Sequence, residues 1–154
     1  MSQGQDANQA LQTLSQQLQE LDAVQDQLQT QLEALQTRKS EVQSAIDTLD
    51  DLESGSTVQV PLGGDAFIKA DIPDIDEVIV SLGADFAAER TRDGAIDALE
   101  QRIRDIEEQI ENVQSNLNEV ASDIEEVEGQ AQQVQQQMAQ QQSQQLGGLG
   151  GEDL

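Results

Sequence analysis

Apolar residues recur along the chain at alternating steps of three and four in two long stretches. The first stretch runs Leu11, Leu14, Leu18, Leu21, Gln25, Leu28, Leu32, Leu35, Lys39, Val42, Ile46 and Leu49. One of its two heptad positions is apolar throughout, and the other is interrupted by Gln25 and Lys39. The second stretch has no polar interruption: Ile96, Leu99, Ile103, Ile106, Ile110, Val113, Leu117, Val120, Ile124, Val127, Ala131, Val134 and Met138. Spacing of this kind, sustained over more than about four heptads, predicts coiled-coil helices, each with one buried seam and a solvated remainder. At ~1.5 Å per residue the two helices come to about 57 and 64 Å. Helices of nearly equal length flanking a short middle fold back most simply as an antiparallel pair. A bend near residues 72–73 sets residue n opposite about 145 minus n, a register read from the heptads. Lys39 then faces Ile106, and its ammonium is expected to reach Asp105 or Glu108 as an ordinary snorkelling lysine. Gln25 is either a register-setting polar position or a tolerated defect.

Between the helices the period changes from 3.5 to 2. Ser54-Gly55-Ser56 breaks the first helix, and Thr57-Val58-Gln59-Val60-Pro61 alternates as a half-buried strand does. Gly63-Gly64-Asp65 is a turn, and Ala66-Phe67-Ile68-Lys69-Ala70 returns as a second strand. After a loop at residues 72–76, Glu77-Val78-Ile79-Val80-Ser81-Leu82 is strand-like. Gly83-Ala84-Asp85 turns again, and Phe86-Ala87-Ala88 is a short fourth strand. The expected organisation is a single domain, 1–154, of α+β class and mainly α. It comprises an N-terminal coiled-coil helix (8–53), two β-hairpins (56–89), a C-terminal coiled-coil helix (93–140) and a flexible Gly-rich tail (141–154).

Composition agrees with an elongated helical protein. Phe67 and Phe86 are the only aromatic residues, too few for an ordinary globular core. Asp and Glu number 31 against 7 Lys and Arg, a formal net charge of −24. That charge repels nucleic-acid phosphates and anionic lipid, so neither is an expected partner. It also points to adaptation to high salt, where about 1 M ions shrink the Debye length to ~3 Å and screen carboxylate repulsion. Acidic coiled coils of ordinary cells are the bland alternative, and the size of the imbalance favours the high-salt reading.

The candidate chemistry is sparse. The chain has no His and no Cys, so the usual acid–base and thiol catalysis, disulfides and Cys/His metal sites are excluded, and no cofactor is expected. Asp71, Asp74, Asp76 and Glu77 lack the spacing and glycine of a calcium loop and read as loop residues. Leu146-Gly147-Gly148-Leu149-Gly150-Gly151 lacks the lysine of a phosphate loop. Residues 1–6 lack the basic and apolar regions of a signal peptide, and no apolar run approaches the ~20 residues of a membrane span, so a cytoplasmic, non-enzymatic protein is expected.

Two isolated hairpins have little core of their own and leave strand edges open. The apolar residues Val58, Val60, Phe67, Ile68, Val78, Ile79, Val80, Leu82 and Phe86 are therefore expected to pair with strands of other subunits; packing privately against the helix ends is the alternative. At the far ends of the helices, Met1, Leu11, Leu14, Val134, Met138, Leu146 and Leu149 are candidates for a weak client-holding surface. Frayed seam ends account for the same residues equally well. Met138 and Leu146 have no evident partner in the pairing register.

The run Val58-Gln59-Val60-Pro61-Leu62-Gly63-Gly64-Asp65-Ala66-Phe67-Ile68-Lys69-Ala70, continued by Glu77-Val78-Ile79-Val80-Ser81-Leu82-Gly83-Ala84 between two heptad arms, resembles the α class of archaeal prefoldin (GimC) subunits. The resemblance spans essentially the whole chain, including the Gly/Leu tail. It implies a heterohexamer of two α-class and four β-class subunits, with hairpins from all six forming an intersubunit β-barrel body and coiled coils projecting from it. It further implies ATP-independent capture of unfolded polypeptide and its delivery to a group II chaperonin. The two hairpins fit the α class, since β-class subunits have one. A passive coiled-coil scaffold or tether is the competing function; it gains nothing from strands that recruit several arms around one body.

Overall fold

The structure is a computed structural model that describes the backbone of residues 2–150 and the side chains of residues 4–144. Helix α1 (Ser2–Asp51) leads into strands β1 (Thr57–Gly63) and β2 (Ala66–Asp71), then β3 (Val78–Gly83) and β4 (Phe86–Arg90), and the chain returns in helix α2 (Arg92–Gly150). Each strand pair is a separate two-stranded antiparallel sheet. The molecule divides into two units, one of residues 1–32 with 112–154 and one of residues 33–111.

In the unit of residues 33–111, Val42, Ile46, Leu99 and Ile106 are buried together, with Leu35, Leu49, Ile96, Ile103 and Ile110 packed around them. The expected register sets Val42 against Ile103, Ile46 against Leu99, Leu49 against Ile96 and Leu35 against Ile110, and all eight belong to this one cluster. Ile106 is 3% exposed, the most enclosed of the seam residues. In the other unit, Leu14 and Val113 are buried, and Leu11, Leu18, Leu21, Gln25, Leu28, Leu117, Val120, Ile124, Val127, Ala131, Val134 and Met138 are half-buried. Every position of both heptad series is thus at least partly withdrawn from solvent, Gln25 and Lys39 included.

Lys39 does pair across the seam, but with Glu107, its Nζ 3.2 Å from Oε1, rather than with Asp105 or Glu108. Asp105 is engaged along its own helix, accepting from Gln101 Nε2 at 3.1 Å.

Thr91 caps α2: its hydroxyl accepts from the Gly94 amide at 3.1 Å and its carbonyl from the Ala95 amide at 2.8 Å. At the other end α2 runs on to Gly150, ten residues past the boundary expected at 140. The Gln-rich run contains no proline or capping residue to stop it, and Gln, Ala and Met are adequate helix formers. The remainder of the expected flexible tail, 151–154, lies outside the described residues, as do Met1 and the side chains of Leu146 and Leu149.

The two hairpins share one plan at an offset of twenty residues. Val58, Val60, Leu62, Gly63 and Asp65 recur as Val78, Val80, Leu82, Gly83 and Asp85. In each, the register shifts at the leucine, between Pro61 and Gly63 and between Ser81 and Gly83. Each closes on two residues with positive φ, Gly64 (59°) and Asp65 (62°), then Ala84 (48°) and Asp85 (64°). That is the backbone of the turn whose twist matches a hairpin.

Candidate assembly and docking surfaces

The link between helix and hairpin is built from short polar contacts. The Glu53 amide donates to Ser56 Oγ at 3.0 Å, and the Ile75 amide to Ser54 Oγ at 3.1 Å. Gly55, with φ 88°, and Ile72 close the base of the first hairpin: the Gly55 amide reaches the Ile72 carbonyl at 2.6 Å and the Ile72 amide the Ser56 carbonyl at 2.9 Å. The Arg92 guanidinium donates to the Leu52 carbonyl, and its amide reaches Asp76 Oδ1 at 3.3 Å, so the start of α2 is tied to the end of α1. Arg102, half-buried on α2, donates to the Ser81 carbonyl and holds β3 against the helix pair. Val80 is 5% exposed and shares a cavity wall with Ala45, Leu49 and Leu99.

The residues expected to join subunits therefore separate into three groups. Val80 is enclosed within this chain, and Val58 and Val78 are half-buried. Val60, Phe67, Ile68, Ile79, Leu82 and Phe86 are exposed, Ile79 to 76% and Phe86 to 71%. Val80 turns inward because β3 packs on the helix pair, while its counterpart Val60 on β1 stays 40% exposed. Leu62, 66% exposed, belongs with the exposed group and was not anticipated. Its signal in the sequence is the Leu-Gly pair repeated at residues 82–83.

Of the candidates at the far helix ends, Leu14 is buried and Leu11, Val134 and Met138 are half-buried. Met138 does have neighbours: it lines a shallow cavity with Ala7, Ala10 and Val134. Ala7 continues the apolar series of α1 beyond Leu11, and Ala10 flanks it, where an alanine was too weak a signal to count.

One further apolar residue stands outside both seams. Val24 is 42% exposed and, with Leu21 and Val127, lines a groove bordered by Gln17, Glu20, Asp123, Glu126 and Gln130. Its sequence signal is an inversion, a valine on the flank beside Gln25 in the seam. All seven basic residues fall between 38 and 104, whereas residues 1–32 and 112–154 contain 11 acidic residues and no basic one. Among the described residues no helix is long and apolar enough to cross a membrane.

Two long helices with heptad seams bracket two separate two-stranded hairpins, the arrangement of a coiled-coil chain with a β-hairpin middle. Residues 21–137, well over half of the chain, match the family model of the prefoldin subunit, and the chain belongs to that family, a family of chaperones. It is 55% identical over 65 residues to a prefoldin subunit alpha of Haloarcula marismortui, a stretch covering 42% of each chain. It is 50% identical over 64 residues to that of Halobacterium salinarum, again 42% of each. To the prefoldin subunit alpha of Pyrococcus horikoshii it is 38% identical over 102 residues, covering 64% of this chain and 69% of the relative. The chain thus spans about two fifths of the length of the halophile relatives it matches. Among solved structures, a filamentous PFD from Methanocaldococcus jannaschii shares the fold, with a TM-score of 0.51 and 24% identity over 80% of this chain and 98% of that one.

Proposed function

We propose that the chain is the α-class subunit of an ATP-independent holdase. Its hairpins join those of β-class subunits in an intersubunit β-barrel, with two α and four β chains as the expected stoichiometry. Its helices hold unfolded polypeptide, which passes to a group II chaperonin in the cytoplasm. The observation that carries this reading is the distribution of exposed apolar surface. Among the described residues eight large hydrophobic side chains are exposed, and seven of them lie on the two hairpins. A tether would keep its seams closed and its ends polar; it has no use for Phe67, Ile79, Leu82 and Phe86 in water beside unpaired strand edges. The halophile relatives and the acidic surface support a high-salt working environment.

The test is aggregation suppression. The full chain is purified in molar KCl with the partner subunits it retains, and a chemically unfolded client is diluted into it without nucleotide while light scattering is followed. Suppression near one complex per client is the expected result. Undiminished scattering from an assembled complex would make the chain a passive scaffold.

A further inference from the structure

Val24 is the one exposed large hydrophobic residue outside the hairpins among the described residues. It is not isolated, because the groove it lines continues into Leu21 and Val127, both half-buried members of the seams. Glu20, Asp123 and Glu126 stand on the rim of the same groove, and none of the three forms an ion pair among the described residues. No basic side chain exists in residues 1–32 or 112–154 to neutralise them.

The composition of this groove selects its occupant. A second copy of the same surface would set carboxylates against carboxylates, and nucleic acid or anionic lipid would be repelled in the same way. What fits is an extended apolar segment with lysine or arginine beside it: the apolar side chain covers Val24, and the cation lies among three carboxylates that lack partners of their own. We infer that the Leu21–Val24–Val127 groove is a docking site for non-native polypeptide segments that combine an apolar residue with flanking basic ones. The inference rests on the holdase reading and specifies which part of a client this wall of the coil takes. Apolar contact supplies attachment, and the rim supplies selection; opposite charges at a partly desolvated rim set specificity more than affinity.

The test uses two fluorescent peptides with the same apolar core, one flanked by lysines and one by glutamates. Their binding to the complex is followed by anisotropy at about 0.5 M and 2 M KCl, with sedimentation at each salt showing that the complex stays assembled. The lysine peptide should bind about five- to tenfold more tightly at the lower salt, as expected for a few rim charge pairs, and the ratio should shrink at the higher. The variant E20Q/D123N/E126Q should bring the ratio near one, and V24Q should weaken the lysine peptide at both salts, with helicity unchanged in each. A ratio unmoved by the triple variant, or no loss with V24Q, overturns the proposal. So does a change in the sedimentation of the complex with V24Q, which would make the groove a contact between subunits. Suppression of client aggregation that persists without any peptide preference would overturn the groove alone and leave the holdase standing. Loss of both would remove the two together.

Discussion

Lys39 sits in a seam position with its amine 3.2 Å from Glu107 Oε1, and both side chains keep about half their surface in water, at 43% and 50% exposure. An ion pair so exposed contributes at most ~1 kcal/mol. A leucine at the same position would exchange that contribution for apolar burial beside Ile106, about 1.5–3 kcal/mol if enclosure were complete. Lys39→Leu should therefore stabilise the coil by about 1 kcal/mol, read as a higher urea midpoint at unchanged slope. A lower midpoint would show that the cross-seam pair outweighs packing. Ile106→Ala is the opposite case: a side chain 3% exposed leaves a cavity, and a loss of about 3 kcal/mol is expected in the same experiment. The seam itself was legible residue by residue, because a 3–4 alternation admits only one inward face. The acceptor of Lys39 was not legible. Asp105, Glu107 and Glu108 stand within one turn of α2, and the bond that occupies Asp105, from Gln101, exists only once that helix has formed.

The hairpins carry a difference in their turns that the twenty-residue offset exposes. The first central residue is Gly64 in one and Ala84 in the other, at φ 59° and 48°. Left-handed backbone costs alanine about 1–2 kcal/mol that glycine does not bear, partly offset by glycine's freedom in the unfolded chain. Ala84→Gly should stabilise the second hairpin by about 0.5–1 kcal/mol, seen as slower amide exchange of Val80 and Ala88, which face each other across the strands. Faster exchange would mean that the alanine is accommodated without strain. Phe86, 71% exposed beside this turn, tests the other role of the hairpin. Phe86→Ser should lower the mass of the assembled complex while leaving helicity intact, because the side chain packs on little within its own chain. Undiminished mass would remove Phe86 from the proposed interface. The strands were legible from their alternation and from two Gly-x-Asp turns. The inward aim of Val80 was not, since Val60 has the same local pattern and only the packing of β3 on the helices, with Arg102 held to Ser81, distinguishes them. The boundary of α2 was expected at 140 because the tail beyond is Gly-rich, whereas the helix continues to Gly150 through a Gln-rich run that a long seam can nucleate.

For the whole molecule the dominant quantity is charge. Thirty-one carboxylates face seven cations, and Lys39 with Glu107 is the one ion pair among the described residues. Almost none of the repulsion is therefore relieved internally. The seams that oppose it enclose few side chains fully, so the balance is set by the solvent. At about 0.15 M salt the Debye length is ~8 Å, long enough for neighbouring carboxylates on one helix to feel each other; at about 1 M it is ~3 Å and they do not. Folding and assembly should accordingly strengthen with KCl. A rise in the thermal midpoint of about 10 °C between 0.1 and 2 M is expected, roughly 3 kcal/mol for a chain of this size. Two causes could produce that rise, screening of carboxylates and the strengthening of apolar burial by salts excluded from the surface, and they separate experimentally. Screening depends on ionic strength and saturates once the Debye length falls below the spacing of charges, whereas exclusion grows steadily with concentration and is also produced by the uncharged osmolyte sucrose. Circular dichroism melts in KCl and in sucrose therefore form a decisive pair. A midpoint that climbs early in KCl, levels off, and barely responds to sucrose would make repulsion the controlling term. Equal responses would assign the effect to the apolar seams. A midpoint indifferent to KCl would show that the acidic surface is neutral to stability and that its use lies in what the coil repels and admits.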